Sequence, residues 1–242
     1  MAEAARETAE NGGAVWLLLQ EKLLGNQFSC VAGKTAWRRE TVVHRHYGPM
    51  TEEATTVALY GDVCDFAERK DAIDPLLASF ISTFQASRDV TEVEFERLVW
   101  KQLQSLHDLD ATRFAWSSLV DADPISDRFG FSVAEHPFFV VGMHPNSSRL
   151  TRRFPYPTLV FNSHVQFKRL KERGMYQRIQ REVRARELTL QGSINPNLAD
   201  FGEASEAAQY SGRAVSADWL CPFHPHPPGR TWSRRCRQER LP

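Results

Sequence analysis

The chain has 242 residues, and its 30 Lys and Arg residues balance its 30 Asp and Glu residues, so its formal net charge is zero. This length suits one domain with a sizeable core, and a composition that is 42% hydrophobic and 25% charged argues against a disordered protein. The zero balance argues against a general nucleic-acid binder. The apolar run 15–19 stops at Gln20, so no membrane span is expected. An acidic N-terminus and four scattered cysteines favour a cytoplasmic protein without a signal peptide or a disulfide framework.

The zero balance hides a charge gradient along the chain. Residues 1–110 have a net charge of −7, whereas residues 145–190 contain 11 basic and 3 acidic residues. Clustered arginines bind phosphate or carboxylate groups through their planar forks. For the basic segment from 168 to 186 we favour a solvated helix face. Arginines 149, 152 and 153 precede it on a proline-rich loop, and for these both interpretations stay open.

In the N-terminal half, the pattern predicts mainly helices. Residues 15–24 have helical apolar spacing, whereas β-branched residues in 55–62 predict a strand. Residues 74–84 predict a helix, because Asp-Pro is a favourable helix start and the apolar residues share one helical face. Thr91 and Glu94 form a capping-box pattern that predicts a second helix.

The C-terminal half predicts strands first and then a basic helix. Residues 129–141 contain two apolar runs that predict a β-hairpin, and residues 158–161 predict a third strand. Residues 165–187 predict a helix broken at Gly174, with its basic residues facing out. Residues 189–223 show weak periodicity, and their aromatic side chains favour an ordered, functional segment.

Together these elements predict an α+β fold in which N-terminal helices pack on a small, mostly antiparallel sheet. We expect a single domain over residues 1–223, followed by a flexible tail over residues 224–242.

Two histidines and one cysteine are candidate metal ligands. His144 ends an apolar strand and His164 follows the next one, so neighbouring strands would bring them together. Each is otherwise a hydrogen-bonded or capping histidine. Cys221 lies among aromatic residues in the string WLCPF, where a thiol is either a haem-thiolate ligand or an inert buried side chain.

Glu203 and Glu206 are candidates for binding a cation. If their segment is helical, the two carboxylates share one face and can grip a guanidinium group. The alternative is a solvated acidic pair.

Three long strings in the C-terminal half carry a family resemblance: FFVVGMHPNSSRLTRRFPYPTLVFNSHVQFKRLKERGMY, LQGSINPNLADFGEASEAAQYSGR and WLCPF. Through them, residues 125–223 closely resemble the YqcI/YcgG family, and the N-terminal half is a weaker match. That family includes haem proteins that hydroxylate guanidine nitrogens, among them the arginine Nω-hydroxylase of D-cycloserine biosynthesis and the guanidine N-hydroxylase of guanitoxin biosynthesis. The resemblance implies haem b and oxygen-dependent N-hydroxylation, first of all of L-arginine to Nω-hydroxy-L-arginine in a secondary-metabolite pathway.

The resemblance also implies roles for the candidate residues. Cys221 or His144 is the expected axial ligand of the iron, with Cys221 slightly preferred because a thiolate assists O–O cleavage, and His164 is a further candidate. Glu203 or Glu206 is expected to pair with the substrate guanidinium, because a buried cation needs an acid. The residues expected to hold the haem, chiefly through its propionates, are Arg149, Arg152, Arg153, Tyr210, Arg213 and Trp219.

The expected partners are a guanidine-bearing small molecule, dioxygen and an external electron donor or peroxide, because no flavin or nicotinamide fingerprint is present. No nucleic acid and no membrane are expected, and a homodimer stays open. Two alternatives remain: a haem-binding or gas-sensing protein without turnover, and a protein without haem whose basic block contacts an anionic partner.

Overall fold

A computed structural model of the chain describes residues 2–85 and 90–226, with side chains from residue 12 onward. Over these ranges, five strands form one sheet in the order β1-β2-β5-β4-β3. Strands β1 and β2 pair in parallel, and the other three pairs are antiparallel. The expected α+β fold with a mostly antiparallel sheet is therefore confirmed. The strands are β1 (Val42–Tyr47), β2 (Ser79–Phe84), β3 (Phe131–Val133), β4 (His136–Met143) and β5 (Thr158–Ser163).

Helices surround this sheet on both faces. The helices in the described ranges are α1 (Ala2–Leu24), α2 (Val31–Arg38), α3 (Glu53–Ile73), α4 (Glu92–Asp110), α5 (His164–Glu172), α6 (Tyr176–Gln191) and α7 (Ala207–Tyr210). A short 3-10 turn, Leu150–Arg152, lies in the loop between β4 and β5. Within the same ranges, no helix is long and apolar enough to cross a membrane.

The two faces of the sheet are filled differently. Helices α3 and α4 pack on one face, where Phe80, Phe138 and Phe161 join Phe66 and Phe95 in the largest apolar cluster. Helices α1, α2, α5 and α6 lie at the opposite face, in two smaller apolar clusters. Because side chains alternate along a strand, the sequence of each strand divides between these two environments.

Strand β2 replaces the helix expected over residues 74–84. Both faces of this strand are covered, so its residues from Phe80 to Phe84 are all buried and the alternation of period two is lost. Asp74 does accept backbone N–H groups, from Leu76 at 2.7 Å and from Leu77 at 3.0 Å. These bonds stabilise a turn that leads into the strand rather than a helix.

Residues 55–62 are part of helix α3, so the strand expected there is wrong. The buried residues of α3 recur at helical spacing, as Thr56, Leu59 or Tyr60, Val63 and Phe66 show. Packing of this face against the sheet outweighs the β-branched character of the segment, because helix propensity differs by less than about 1 kcal/mol between most residue types.

Several local predictions are confirmed. Thr91 and Glu94 form the capping box at the start of α4. Strands β3 and β4 form the hairpin, whose turn residues Ala134 and Glu135 have φ of 51° and 62°. Gly174 separates α5 from α6 with φ of 67°, a conformation that glycine adopts without strain. The tail expected over 224–242 lies, from residue 227 on, outside the described residues.

Gly142 of β4 provides a test of this packing. A Cβ atom there would lie 2.8 Å from Cε1 of Phe95 and 2.9 Å from the carbonyl oxygen of Tyr210. We expect Gly142→Ala to lower the free energy of unfolding by about 1–3 kcal/mol, because these neighbours would have to move apart. Urea unfolding followed by circular dichroism measures the change.

Gly61→Ala is the matched control, because a Cβ atom at this exposed position of α3 meets no atom within 4 Å. It is expected to raise the free energy of unfolding by about 0.5–1 kcal/mol. Equal effects of the two substitutions would contradict the close approach at Gly142.

Candidate functional site

An apolar cavity lies between the sheet and the helices of the second face. Its floor is formed by Ile81, Val141, Met143 and Val160, which come from three neighbouring strands. Its volume is about 270 Å³, and about 1400 Å³ when the space out to its solvent-open mouth is counted. The start of α2, the loop after β4 and the end of α6 form its walls.

A buried ion pair forms one wall of the cavity. Arg149 donates from Nη2 to Oε2 of Glu187 at 2.7 Å, and Ser29 donates to Oε1 of the same carboxylate at 2.5 Å. Arg149 also donates to the hydroxyl and carbonyl oxygens of Ser193, at 3.0 and 2.5 Å. Arg149, which was expected to bind a haem propionate, therefore lies on the cavity wall, where Glu187 already contacts it.

Arg152 lines the same cavity without an acidic partner. Its guanidinium donates to the carbonyl oxygens of Gly142, Gln209 and Tyr210 at 3.0–3.3 Å. Among the described residues, no carboxylate lies within ion-pair distance of it. Burial lowers the pKa of Arg152 to about 10, so it stays charged at neutral pH. A half-buried cation held only by carbonyl groups would be stabilised by an anionic group entering the cavity.

Cys30 also lines the cavity, although no motif in the sequence marks it. It is the N-cap residue of α2, and its sulfur accepts the backbone N–H of Gly33 at 3.4 Å. Burial raises the pKa of this thiol, an effect that the backbone N–H groups oppose, so the neutral thiol is favoured. A bound metal would remove the thiol proton, and the N–H of Gly33 would then stabilise the thiolate.

His144 and Cys221, the expected metal ligands, do not line the cavity. Met143 faces the cavity, so the next residue, His144, faces the opposite side and stacks on Phe95 with ring centroids 4.4 Å apart. Cys221 packs against the large aromatic cluster near Trp219, and burial raises its pKa to about 12. Both side chains therefore belong to the filled face of the sheet.

Glu206 and His164 belong to a buried network outside the cavity. Glu206 Oε1 accepts the hydroxyl of Tyr210 at 2.5 Å and lies 3.0 Å from Nε2 of His164. The Tyr210 hydroxyl in turn accepts the backbone N–H of Phe131 at 3.0 Å. Burial raises the pKa of Glu206, and contact with His164 opposes that rise. The network links α7 with α5 and β3.

Glu203 is exposed, and its carboxylate accepts the backbone N–H of Asp200 at 3.0 Å. The two acids expected to share one guanidinium are therefore separated, because Glu206 is buried among its own partners. Neither carboxylate lines the cavity.

The remaining candidates for holding propionates also lie elsewhere. Arg153 is exposed and donates to the carbonyl oxygen of Ser147 at 2.7 Å. Arg213 and Trp219 both donate to Glu96 of α4, at 2.7 and 3.2 Å. These two contacts join the C-terminal loop to α4.

Within the described ranges, no group of three or more His, Cys, Asp or Glu side chains is arranged to hold a metal ion. A haem iron takes only one or two ligands from the protein, so a single thiol on an apolar wall is the relevant arrangement for that cofactor.

The buried position of His144 predicts a pH dependence of stability. Burial lowers its pKa below the usual 6.5, so its contribution to stability is complete above pH 6.5 and is lost as the pH falls toward its folded-state pKa. His144→Phe would keep the stack on Phe95 and remove this loss. We expect the free energy of unfolding of the variant to fall less steeply below pH 6.5, by at most about 1.4 kcal/mol per pH unit. Denaturant unfolding at a series of pH values measures the slopes.

His224→Phe serves as the control, because the side chain of His224 is exposed. It should leave the slope of the unmodified protein unchanged. If His144→Phe gives the same slope as the control, His144 does not titrate differently on folding.

Comparison with known proteins gives one match. The family model of the YqcI/YcgG family matches residues 19–224, which include the cavity and every predicted site residue. Neither the curated proteins nor the solved structures give a match. Because the matched segment covers most of the chain, the protein is a member of the YqcI/YcgG family.

Proposed function

We propose that this protein is a haem-dependent monooxygenase that hydroxylates a guanidine nitrogen, with L-arginine as the first substrate to test. Family membership supports the proposal, because the motifs of the chain resemble haem-dependent guanidine N-hydroxylases of that family. The observation that carries it is the apolar cavity, which brings the Cys30 thiol and the Arg152 guanidinium onto one surface.

The chemistry of the cavity fits a haem. The thiol of Cys30 is a suitable iron ligand, the strand side chains offer apolar contact to a porphyrin, and Arg152 suits a propionate carboxylate. The cavity volume of about 270 Å³ is just below the ~300–1,000 Å³ usual for ligand pockets, so a haem would extend into the open mouth. Cys30 therefore replaces Cys221 and His144 as the residue that we propose would bind the haem iron.

When bound, haem would supply the activation of dioxygen. In the overall reaction, one oxygen atom forms N–OH from a guanidine N–H bond, and the other leaves as water with two protons and two electrons. The electrons come from an external donor, or peroxide supplies both oxygen and oxidising equivalents.

The residues of the chain position and protect this chemistry. Gly33 holds the sulfur of Cys30 through its N–H group, and the guanidinium of Arg152 would bind an anionic carboxylate. The side chains of Val141, Met143 and Val160 exclude water from the floor of the cavity. Exclusion of water strengthens the electrostatic interactions of the bound groups.

Reconstitution of the full chain with haem tests the proposal. We expect a Soret band, a change of that band on addition of L-arginine, and formation of Nω-hydroxy-L-arginine with a reductase or with peroxide. Haem binding with gas binding but without product under any reductant would favour a sensor. A chain that takes up no haem would favour the basic block as a site for an anionic partner.

Replacement of single cysteines tests which thiol would bind the haem iron. Cys30→Ser is expected to abolish the strongly red-shifted Soret maximum of the ferrous–CO complex, which is characteristic of a thiolate ligand, because serine is a poor substitute for sulfur. Cys221→Ser should retain it. Circular dichroism before haem addition verifies that both variants are folded.

The opposite result, loss in Cys221→Ser and retention in Cys30→Ser, would contradict the assignment of Cys30. A Soret maximum of the ferrous–CO complex at the usual, less shifted position in the unmodified protein would indicate an imidazole ligand. His144 or His164 would then be the candidate.

Arg152 is expected to set the affinity for haem. Arg152→Gln should weaken haem binding by about 10-fold or more, since a hydrogen bond to a charged group is lost, whereas Arg152→Lys should lose less because the charge is kept. Spectroscopic titration of the haem-free chain measures both dissociation constants.

Arg153→Gln is the neighbouring control, because Arg153 is exposed and lies outside the cavity lining. Equal weakening by Arg152→Gln and Arg153→Gln would show that the loop acts only through its overall charge.

A further inference from the structure

Glu187 is the single acid among the described residues that line the cavity. It lies in the last turns of α6, and only 7% of the residue is exposed. The other two charged side chains on the lining are Arg149 and Arg152, so the walls have an excess of one positive charge.

The carboxylate of Glu187 retains capacity to bind further donors. One oxygen accepts Ser29 Oγ and the other accepts a single N–H of Arg149. A carboxylate has about four acceptor sites, so about half of them remain. The contact with Arg149 already demonstrates that this position can hold a guanidinium group in a buried environment.

Arg149 does not depend on Glu187 alone. Its guanidinium also donates to the hydroxyl and carbonyl oxygens of Ser193. These bonds can keep Arg149 in place while the carboxylate of Glu187 also receives a second cation.

The charge of the cavity sets the order of binding. A ligand with a carboxylate group, such as haem, compensates the excess positive charge of Arg152, because Arg149 is already paired with Glu187. Once this excess is compensated, a cation is no longer repelled and can contact the acceptor sites that Glu187 still has free. A guanidinium group that enters a buried site without an acid would lose several kcal/mol of hydration free energy.

We propose that Glu187 determines the specificity of this cavity by accepting N–H groups of the guanidinium of the substrate. This inference rests on the proposed function for the identity of the substrate. It places the acidic partner of the substrate on α6, whereas the sequence had suggested Glu203 or Glu206.

Isothermal titration of the full chain with L-arginine and with L-citrulline tests this role. The two ligands have nearly the same shape, but the urea group of citrulline is neutral. We expect the haem-loaded protein to prefer arginine, and Glu187→Gln to reduce that preference by about 10- to 100-fold, as for a lost hydrogen bond between charged groups.

Glu182→Gln is the matched control on the same helix. Glu182 is exposed and pairs with Arg186 one turn away, so its substitution removes one negative charge from α6 outside the cavity. The preference for arginine should be unchanged in this variant. Retention of the full preference in Glu187→Gln would overturn the inference.

Arg149→Gln separates substrate binding from a purely structural ion pair. If Glu187 only holds Arg149, the two substitutions should impair arginine binding equally. If Glu187 receives the substrate, removal of the resident guanidinium should maintain or increase arginine affinity. Equal impairment in both variants would therefore also overturn the inference, provided that circular dichroism shows both to be folded.

The same titrations on haem-free protein distinguish this inference from the proposed function. An arginine preference that depends on Glu187 in a chain unable to bind haem would support the inference and overturn the haem proposal. Haem uptake without an arginine preference in the unmodified protein would overturn the inference and leave a haem-binding protein.

Discussion

The buried carboxylate of Glu187 connects three segments that are far apart in the sequence. Ser29 lies 158 residues before it, and Arg149 lies 38 residues before it. Removing two charges from water costs several kcal/mol per ion, and only close contacts with further hydrogen bonds offset this cost. Here the hydroxyl of Ser29 and both oxygens of Ser193 provide those bonds. Glu187 contacts Ser29 and Arg149 at the same time, so the three segments that contain these residues are held in fixed positions around the cavity.

The sheet separates this polar cavity from a filled aromatic core. Alternation along β4 directs Met143 to the cavity and His144 to the core, although the two residues are adjacent. Residues that share a motif in the sequence can therefore serve different environments. The motif strings combine a cavity residue, Arg152, with a network residue, Glu206, and with a core residue, Cys221.

Local chemistry was sufficient to predict the capping box of α4, the hairpin and the helix break at Gly174, because each depends on residues close in the sequence. Strand β2 could not be predicted in this way, since burial of both its faces removes the alternation that identifies a strand. The candidate site was predicted only in part. Arg149 and Arg152 were identified from their loop, whereas Cys30 and Glu187 acquire their significance from tertiary packing. In the sequence, Glu187 looks like one acid on a basic, solvated helix.

Strand order also constrains how the chain can fold. Strand β5 is inserted between β2 and β4, and Ser82 of β2 bonds to Leu159 of β5 across a sequence separation of 77 residues. During synthesis, β1, α3 and β2 can associate early, but the inner edge of β2 has no partner until β5 leaves the ribosome. An open strand edge rich in phenylalanine invites association with other chains. Because β5 pairs with β2 only after a long stretch of chain has been made, the edge of β2 must stay unpaired during that time. This requirement on folding is no longer visible in the folded structure.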